Sequence, residues 1–271
     1  ERVQPALRAL RRLTHPGLAR LFDWGSASEP DGALYLVQEY LVGESLRQRL
    51  QRLGRLAPEE TITLGQKIAE ALAVAHEAGV QHHDLKPENV MLTAELDGER
   101  AVLLDLGLAP LLCQEGAASG LVLGTAQYLA PEQCEAGRAL GPEVDAYALG
   151  VLLYEMLSGA PPFRGNVLQL MRQHVESVVP SLSDRAPQTP RLLCRLVHEI
   201  HRRTGVFGDR EHLLRPLLVR VDEGPDGCVR LRALGRSGRG DIGEQRRRFA
   251  EQLGSVGRER LEDARLEHRR F

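Results

Sequence analysis

The chain has 271 residues, 42% hydrophobic and 27% charged, which excludes a disordered or fibrous protein and leaves room for a sizeable core in one to two domains. Net charge is −2, but residues 201–271 hold 17 Arg and no Lys against 12 acidic residues. Acids interleave with those arginines, so the tail reads as a solvated Arg/Glu face and not as a nucleic-acid contact. The longest apolar run, near Tyr147–Leu157, is too short to span a bilayer, and no secretory leader is visible at Glu1. No membrane partner is expected. The chain opens without Met and reads as starting inside a longer gene. Cys113, Cys134, Cys194 and Cys228 are widely spaced and form no ligand pair, which predicts a reducing, cytoplasmic setting without a zinc site.

In chain order, Leu7, Leu10 and Leu13 share one face of a helix over residues 4–13, which Pro16 and Gly17 end. Leu18–Trp24 and Ala33–Glu39 read as two strands joined by a Ser/Pro/Asp/Gly turn. Pro58, Glu59 and Glu60 suit the first turn of a long helix, with Leu64, Ile68, Ala71, Leu72 and Ala75 on its buried face. Val90–Leu92 and Ala101–Leu104 form a hairpin around Asp97-Gly98. A helix from Gly141-Pro142 through Leu157 is apolar nearly all round and belongs in the core. A last amphipathic helix runs from Pro190 to about His201.

Between the long helix and the hairpin stands Val80-Gln81-His82-His83-Asp84-Leu85-Lys86-Pro87-Glu88-Asn89-Val90. Asp84 can accept a hydroxyl proton, Lys86 can meet a phosphate, and the Asn89 amide oxygen can hold a metal: the groups phosphoryl transfer needs. Asp105-Leu106-Gly107 follows an apolar strand, which suits a Mg²⁺ ligand in a tight turn. Gly124-Thr125-Ala126-Gln127-Tyr128-Leu129-Ala130-Pro131-Glu132 and Asp145-Ala146-Tyr147-Ala148-Leu149-Gly150 complete an ordered set.

At these residues the chain resembles the large lobe of a eukaryotic-like serine/threonine protein kinase of the type found in bacteria, over roughly residues 4–200. The family's H-R-D-L-x-x-x-N, D-F-G and A-P-E motifs read here His-His-Asp-Leu-Lys-Pro-Glu-Asn, Asp-Leu-Gly and Ala-Pro-Glu. The resemblance implies an α+β protein-kinase-like fold: a small-lobe remnant and hinge over 1–43, then a mainly helical large lobe over 44–204. It also implies transfer of the ATP γ-phosphate to Ser/Thr hydroxyls of protein substrates in signalling. Asp84 would be the base, Lys86 would steady the phosphate, and Asn89 and Asp105 would hold Mg²⁺. Gln38 would be the gatekeeper, the backbone of Glu39 and Leu41 would meet the adenine, and Met91 would lie beneath it. Thr125 would bridge Asp84 and Lys86, and Asp145 would brace the loop. His82, Leu106 and Leu10 would stack as an apolar spine, and Glu132 would need an arginine.

Against that pattern, nothing before residue 4 forms a glycine-rich loop. The ATP-gripping lysine is missing, since the chain's two lysines are Lys67, on the long helix, and Lys86. Its partner glutamate falls on Ala6, and His83 replaces the usual Arg before the base. Losing one preorganised charge partner commonly costs on the order of 10²–10³ in rate. The alternative is therefore a pseudokinase, a non-catalytic regulatory module presenting the surface around Phe163–His174.

Residues 205–271 resemble the opening of an AAA-type ATPase module, a partial α/β P-loop-like segment. Phe207-Gly208-Asp209-Arg210-Glu211 supplies the entry, Cys228–Leu234 a strand, Gly235–Gly240 the glycine spacing, and a helix follows to Leu253. Asp241 stands where the phosphate-binding Lys belongs and Ile242 where Ser/Thr belongs, which replaces attraction with repulsion. A flexible Gly/Arg/Ser linker, or a basic tail, is the plain alternative.

Overall fold

In the computed structural model the described residues are 4–26, 34–96, 98–108, 123–135, 137–203, 219–223 and 229–233, with side chains over 7–25, 35–96, 98–108, 125–135 and 137–200. The first helix, α1 (Gln4–Arg12), buries Leu7 and Leu10 as its spacing predicts. Strands β1 (Leu21–Ser26) and β2 (Leu34–Gln38) then pair antiparallel, with a register shift between Leu21 and Asp23. Trp24 and Leu36 pack on the core, and the Arg11 guanidinium lies 5.8 Å above the Trp24 ring.

A second antiparallel sheet has the order β3 (Glu44–Ser45), β4 (Val90–Glu95), β5 (Gly98–Leu103). The expected hairpin is present and longer than the apolar residues suggest; Asp97 lies outside the described residues. Leu103 donates to the Gly17 carbonyl at 2.9 Å and accepts from the Ala19 amide at 3.0 Å, so the chain entering β1 is laced to the end of β5.

Helix α2 (Leu46–Leu53) was not anticipated, although its start carries a capping box. Ser45 Oγ accepts from the Gln48 amide at 3.2 Å while Gln48 Oε1 accepts from the Ser45 amide at 2.7 Å. Ser45→Ala is expected to cost about 1 kcal/mol of stability, read as a lower urea midpoint. An unchanged midpoint would show the cap to be idle.

Helix α3 (Pro58–Glu77) has Pro at its start and Glu59 and Glu60 in its first turn, and buries Leu64, Ile68, Ala71, Leu72 and Ala75. Helix α4 (Glu143–Ser158) is buried at every residue from Val144 to Leu157 and ends at left-handed Gly159. It packs against α3 and α6 (Arg191–Arg203), and α5 (Val167–Glu176) lies between them in sequence. A small separate cluster of Ala126, Leu129, Phe163 and Leu170 attaches α5 to the segment after Thr125.

Beyond α6, the strand expected over 228–234 is β7 (Val229–Ala233), paired antiparallel with β6 (Val219–Glu223). The chain divides into two compact units, Glu1–Ala233 and Leu234–Phe271, and the second lies outside the described residues. The glycine-rich turn, Asp241 and Ile242 fall there; the Phe207 entry, Cys113 and Cys228 are likewise not described. Among the described residues no helix is long and apolar enough to cross a membrane.

Candidate active site

Helix α3 ends beyond Glu77, and left-handed Gly79 turns the chain into the loop that carries Asp84. Asp145, in the first turn of α4, is fully buried beneath that loop. It accepts the His82 amide at 2.8 Å, the His83 amide at 2.6 Å and a His76 ring hydrogen bond at 2.7 Å. Burial alone would raise this carboxyl, but the His76 bond and the positive potential of His76, His82 and His83 hold it below the usual carboxylate range.

His83 has φ of 59°, a left-handed conformation costly for a residue with a side chain. It is pinned on both sides, since its ring meets the Gly141 carbonyl at 3.2 Å and its own carbonyl accepts from Gln133 Nε2 at 2.9 Å. The histidine that replaces the expected arginine thus serves as a loop anchor.

Lys86 Nζ donates to Asp84 Oδ2 at 2.7 Å and to Thr125 Oγ1 at 3.0 Å. The sequence reading made Thr125 the bridge; here Lys86 is the bridge and Thr125 one of its two supports. Asn89 Nδ2 donates to the Asp84 carbonyl at 2.8 Å and to Oδ2 at 3.2 Å. Asp84 Oδ1 and Asn89 Oδ1 therefore remain without a hydrogen-bond partner among the described residues.

Asp105 follows β5, with φ of 54°. The Leu104 amide donates to the Asn89 carbonyl at 2.9 Å, which sets Asp105 beside Asn89. Its carboxylate is exposed and has no hydrogen bond or ion pair among the described residues. Two hard, uncommitted oxygen donors, Asn89 Oδ1 and the Asp105 carboxylate, fit a Mg²⁺ ion.

The His82 ring is fully buried, and Leu10 and Leu106 are buried too. Burial pushes its pKa down and Asp145, Asp84 and Asp105 pull it up, so both site carboxylates act on this one ring. Neither ring nitrogen has a hydrogen-bond partner among the described residues.

At the junction of the two sheets, the Glu39 amide is committed to the Arg20 carbonyl at 2.8 Å, and its side chain meets Arg100 at 3.1 Å. The Glu39 carbonyl and the Leu41 backbone take no backbone hydrogen bond among the described residues, as an adenine edge requires. Half-buried Met91 lies on β4, and Gln38 closes β2. Gly43 makes the close approach possible, because an added Cβ would lie 2.0 Å from the Leu92 carbonyl oxygen.

Lys67 donates from α3 to the Glu99 carbonyl. Glu132 is buried, burial raises its pKa, and its Oε1 has no partner; no arginine hydrogen-bonds it among the described residues. The sequence reading missed Arg47, Glu155 and His174. Each pairs with residues far along the chain, a relation no local pattern carries.

The family model for the protein kinase domain matches residues 1–203. Among curated proteins, the serine/threonine-protein kinase pkn2 of Myxococcus xanthus is 39% identical over 193 residues, 70% of this chain and 23% of that protein. The serine/threonine-protein kinase PknB of Mycolicibacterium smegmatis is 34% identical over 218 residues, 78% of this chain and 34% of that protein. The chain spans less than half the length of these relatives. Among solved structures, the PknI kinase domain of Mycobacterium tuberculosis superposes with a TM-score of 0.60 at 26% identity, covering 80% of this chain and 76% of that one.

Proposed function

This chain belongs to the protein kinase family, and from that premise we propose that it serves Mg-ATP-dependent phosphorylation of Ser/Thr hydroxyls on protein substrates in bacterial signalling. The observation that carries the reading is the Lys86 ammonium shared between Asp84 Oδ2 at 2.7 Å and Thr125 Oγ1 at 3.0 Å, beside the uncommitted oxygens of Asn89 and Asp105. Bound Mg-ATP would supply the transferable γ-phosphoryl group and the cation that neutralises its oxygens. Asn89 Oδ1 and Asp105 would hold the metal. The Glu39 carbonyl and the Leu41 amide would meet the adenine, with Met91 beneath. Asp84 Oδ1, the oxygen free of donors, would accept the proton of the attacking hydroxyl while Lys86 steadies the phosphoryl oxygens.

A second reading, a non-catalytic regulatory module, draws support from the lysines. Lys67 is spent on the Glu99 carbonyl and Lys86 on Asp84 and Thr125, which leaves none within the chain to grip the α- and β-phosphates. For residues 205–271 the proposal of an AAA-type opening with a degenerate P-loop rests on β7, which ends where the glycine-rich turn begins.

Calorimetric titration with Mg-ATP decides between the first two. Catalysis predicts Mg²⁺-dependent binding that falls at least about tenfold in Asp105→Ala, with label transfer to a Ser/Thr protein acceptor that Asp84→Asn abolishes. Undetectable binding in both proteins would leave the regulatory reading.

A further inference from the structure

Arg47, near the start of α2, meets residues beside the Asp84–Lys86 loop and the Thr125 stretch. Its Nε donates to Glu88 Oε1 at 2.8 Å, its Nη1 to Glu155 Oε1 at 2.8 Å and its Nη2 to the Tyr128 hydroxyl oxygen at 2.7 Å. Tyr128 in turn donates its hydroxyl proton to Glu155. One planar guanidinium thus joins α2, the turn at Pro87–Asn89, the stretch after Thr125, and α4. Burial disfavours its charge, but Tyr128, Glu155 and Glu88 more than offset this and raise its pKa.

These contacts form a closed ring. Glu88 lies in a turn closed by the Asn89 amide on the Lys86 carbonyl at 2.9 Å, so Glu88 and Lys86 move together. Tyr128 donates its amide to the Thr125 carbonyl at 3.0 Å, so Tyr128 and Thr125 move together. The Lys86–Thr125 hydrogen bond at 3.0 Å completes the circuit on the far side. Glu155, fixed within the wholly buried α4, is the stationary post.

We propose that Arg47 is a positioning residue: by gripping Glu88 and Tyr128 against Glu155, it sets the separation at which the Lys86 ammonium meets Thr125 and Asp84. A point charge on a flexible stem could satisfy one of these acceptors; the guanidinium fork addresses three in fixed directions. The catalytic meaning of this role rests on the kinase reading, but the geometric role does not.

The chain contains two lysines, so lysine-labelled protein gives two side-chain ammonium signals in NMR, and Lys86→Met assigns them. In Arg47→Met the Lys86 signal is expected to vanish through faster proton exchange with water, while the Lys67 signal keeps its position. Both signals surviving unchanged overturns the proposal. If Arg47→Met unfolds the chain, both signals collapse together and Tyr128→Phe decides. That variant keeps the Arg47–Glu155 pair and removes the Arg47–Tyr128 hydrogen bond through which the guanidinium reaches the Thr125 stretch, so selective loss of the Lys86 signal supports the ring and its retention refutes it. A wild-type chain that fails to bind Mg-ATP or transfer phosphate sinks the kinase reading separately, since the lysine signals need neither nucleotide nor activity.

Discussion

Asp145→Ala is expected to lower folding stability by about 3–5 kcal/mol, because it removes the acceptor that a partly buried imidazole and two loop amides share. The carboxylate is fully buried and takes the His82 amide at 2.8 Å, the His83 amide at 2.6 Å and the His76 ring at 2.7 Å. Each donor left unpaired in the interior costs about 1–3 kcal/mol. The loss does not stop at stability. His83 holds φ of 59° only because its surroundings over-determine it, and Asp145 supplies one of those constraints. Once released, the loop relaxes toward ordinary backbone angles, and Asp84 leaves Lys86. Asp145→Asn keeps one acceptor oxygen and should lose roughly half as much.

Urea unfolding measures the first effect, and hydrogen exchange over Gln81–Val90 measures the second. A loss under about 1 kcal/mol with unchanged exchange would show the loop to be held by other contacts. The carboxyl is held below its ordinary range, so its contribution persists at mild acidity and disappears only as pH falls through that lowered value.

What the sequence made legible was whatever repeats at short range. The buried face of α3, the largely apolar α4 and the hairpin of β4 and β5 follow from spacing and turn residues, and they place Asp84, Asp105 and Asp145 near the fully buried His82. Helix α2 was legible too, since Ser45 and Gln48 form a capping box and Leu46, Leu50 and Leu53 share one face, but its short length and arginines mask that face. Arg47 and Glu155 stand 108 residues apart, and nothing local tells either that it will be paired. Lys86 Nζ stands between Asp84 Oδ2 and Thr125 Oγ1, and an ammonium with three donors serves both acceptors at once. Ala6, in the position of the expected glutamate, belongs to α1, whose first turn holds no acid.

The second large effect is a loss of stability in mild acid that originates at His174. Its ring lies buried between α4 and α5, edge-on to Phe163 at 5.0 Å and to Tyr147 at 5.6 Å. Nε2 lies 3.1 Å from the Ala126 carbonyl, to which it donates, and Nδ1 accepts the Tyr147 hydroxyl at 2.7 Å. Both nitrogens are satisfied in the neutral ring. Burial lowers the pKa to about 4, against the weaker upward pull of the Ala126 and Gln127 backbone. In the unfolded chain an ordinary histidine titrates near 6.5, so between pH 6.5 and 4 the unfolded state binds the extra proton. The stabilising share of the neutral ring is therefore complete above pH 6.5 and drains away as pH falls toward 4. Lowering pH from 6.5 to 5 should cost about 1.5 kcal/mol at this residue.

Protonation at Nδ1 removes the acceptor of the Tyr147 hydroxyl, while Nε2 goes on donating to the Ala126 carbonyl. His82 and His15 lean the same way, burial lowering both. The share of His174 is accordingly the difference between wild type and His174→Gln, each unfolded in urea at pH 5 and 6.5. Gln supplies a donor and an acceptor without titrating, so its stability should change by about 1.5 kcal/mol less across that window. Parallel slopes would place the acid sensitivity elsewhere.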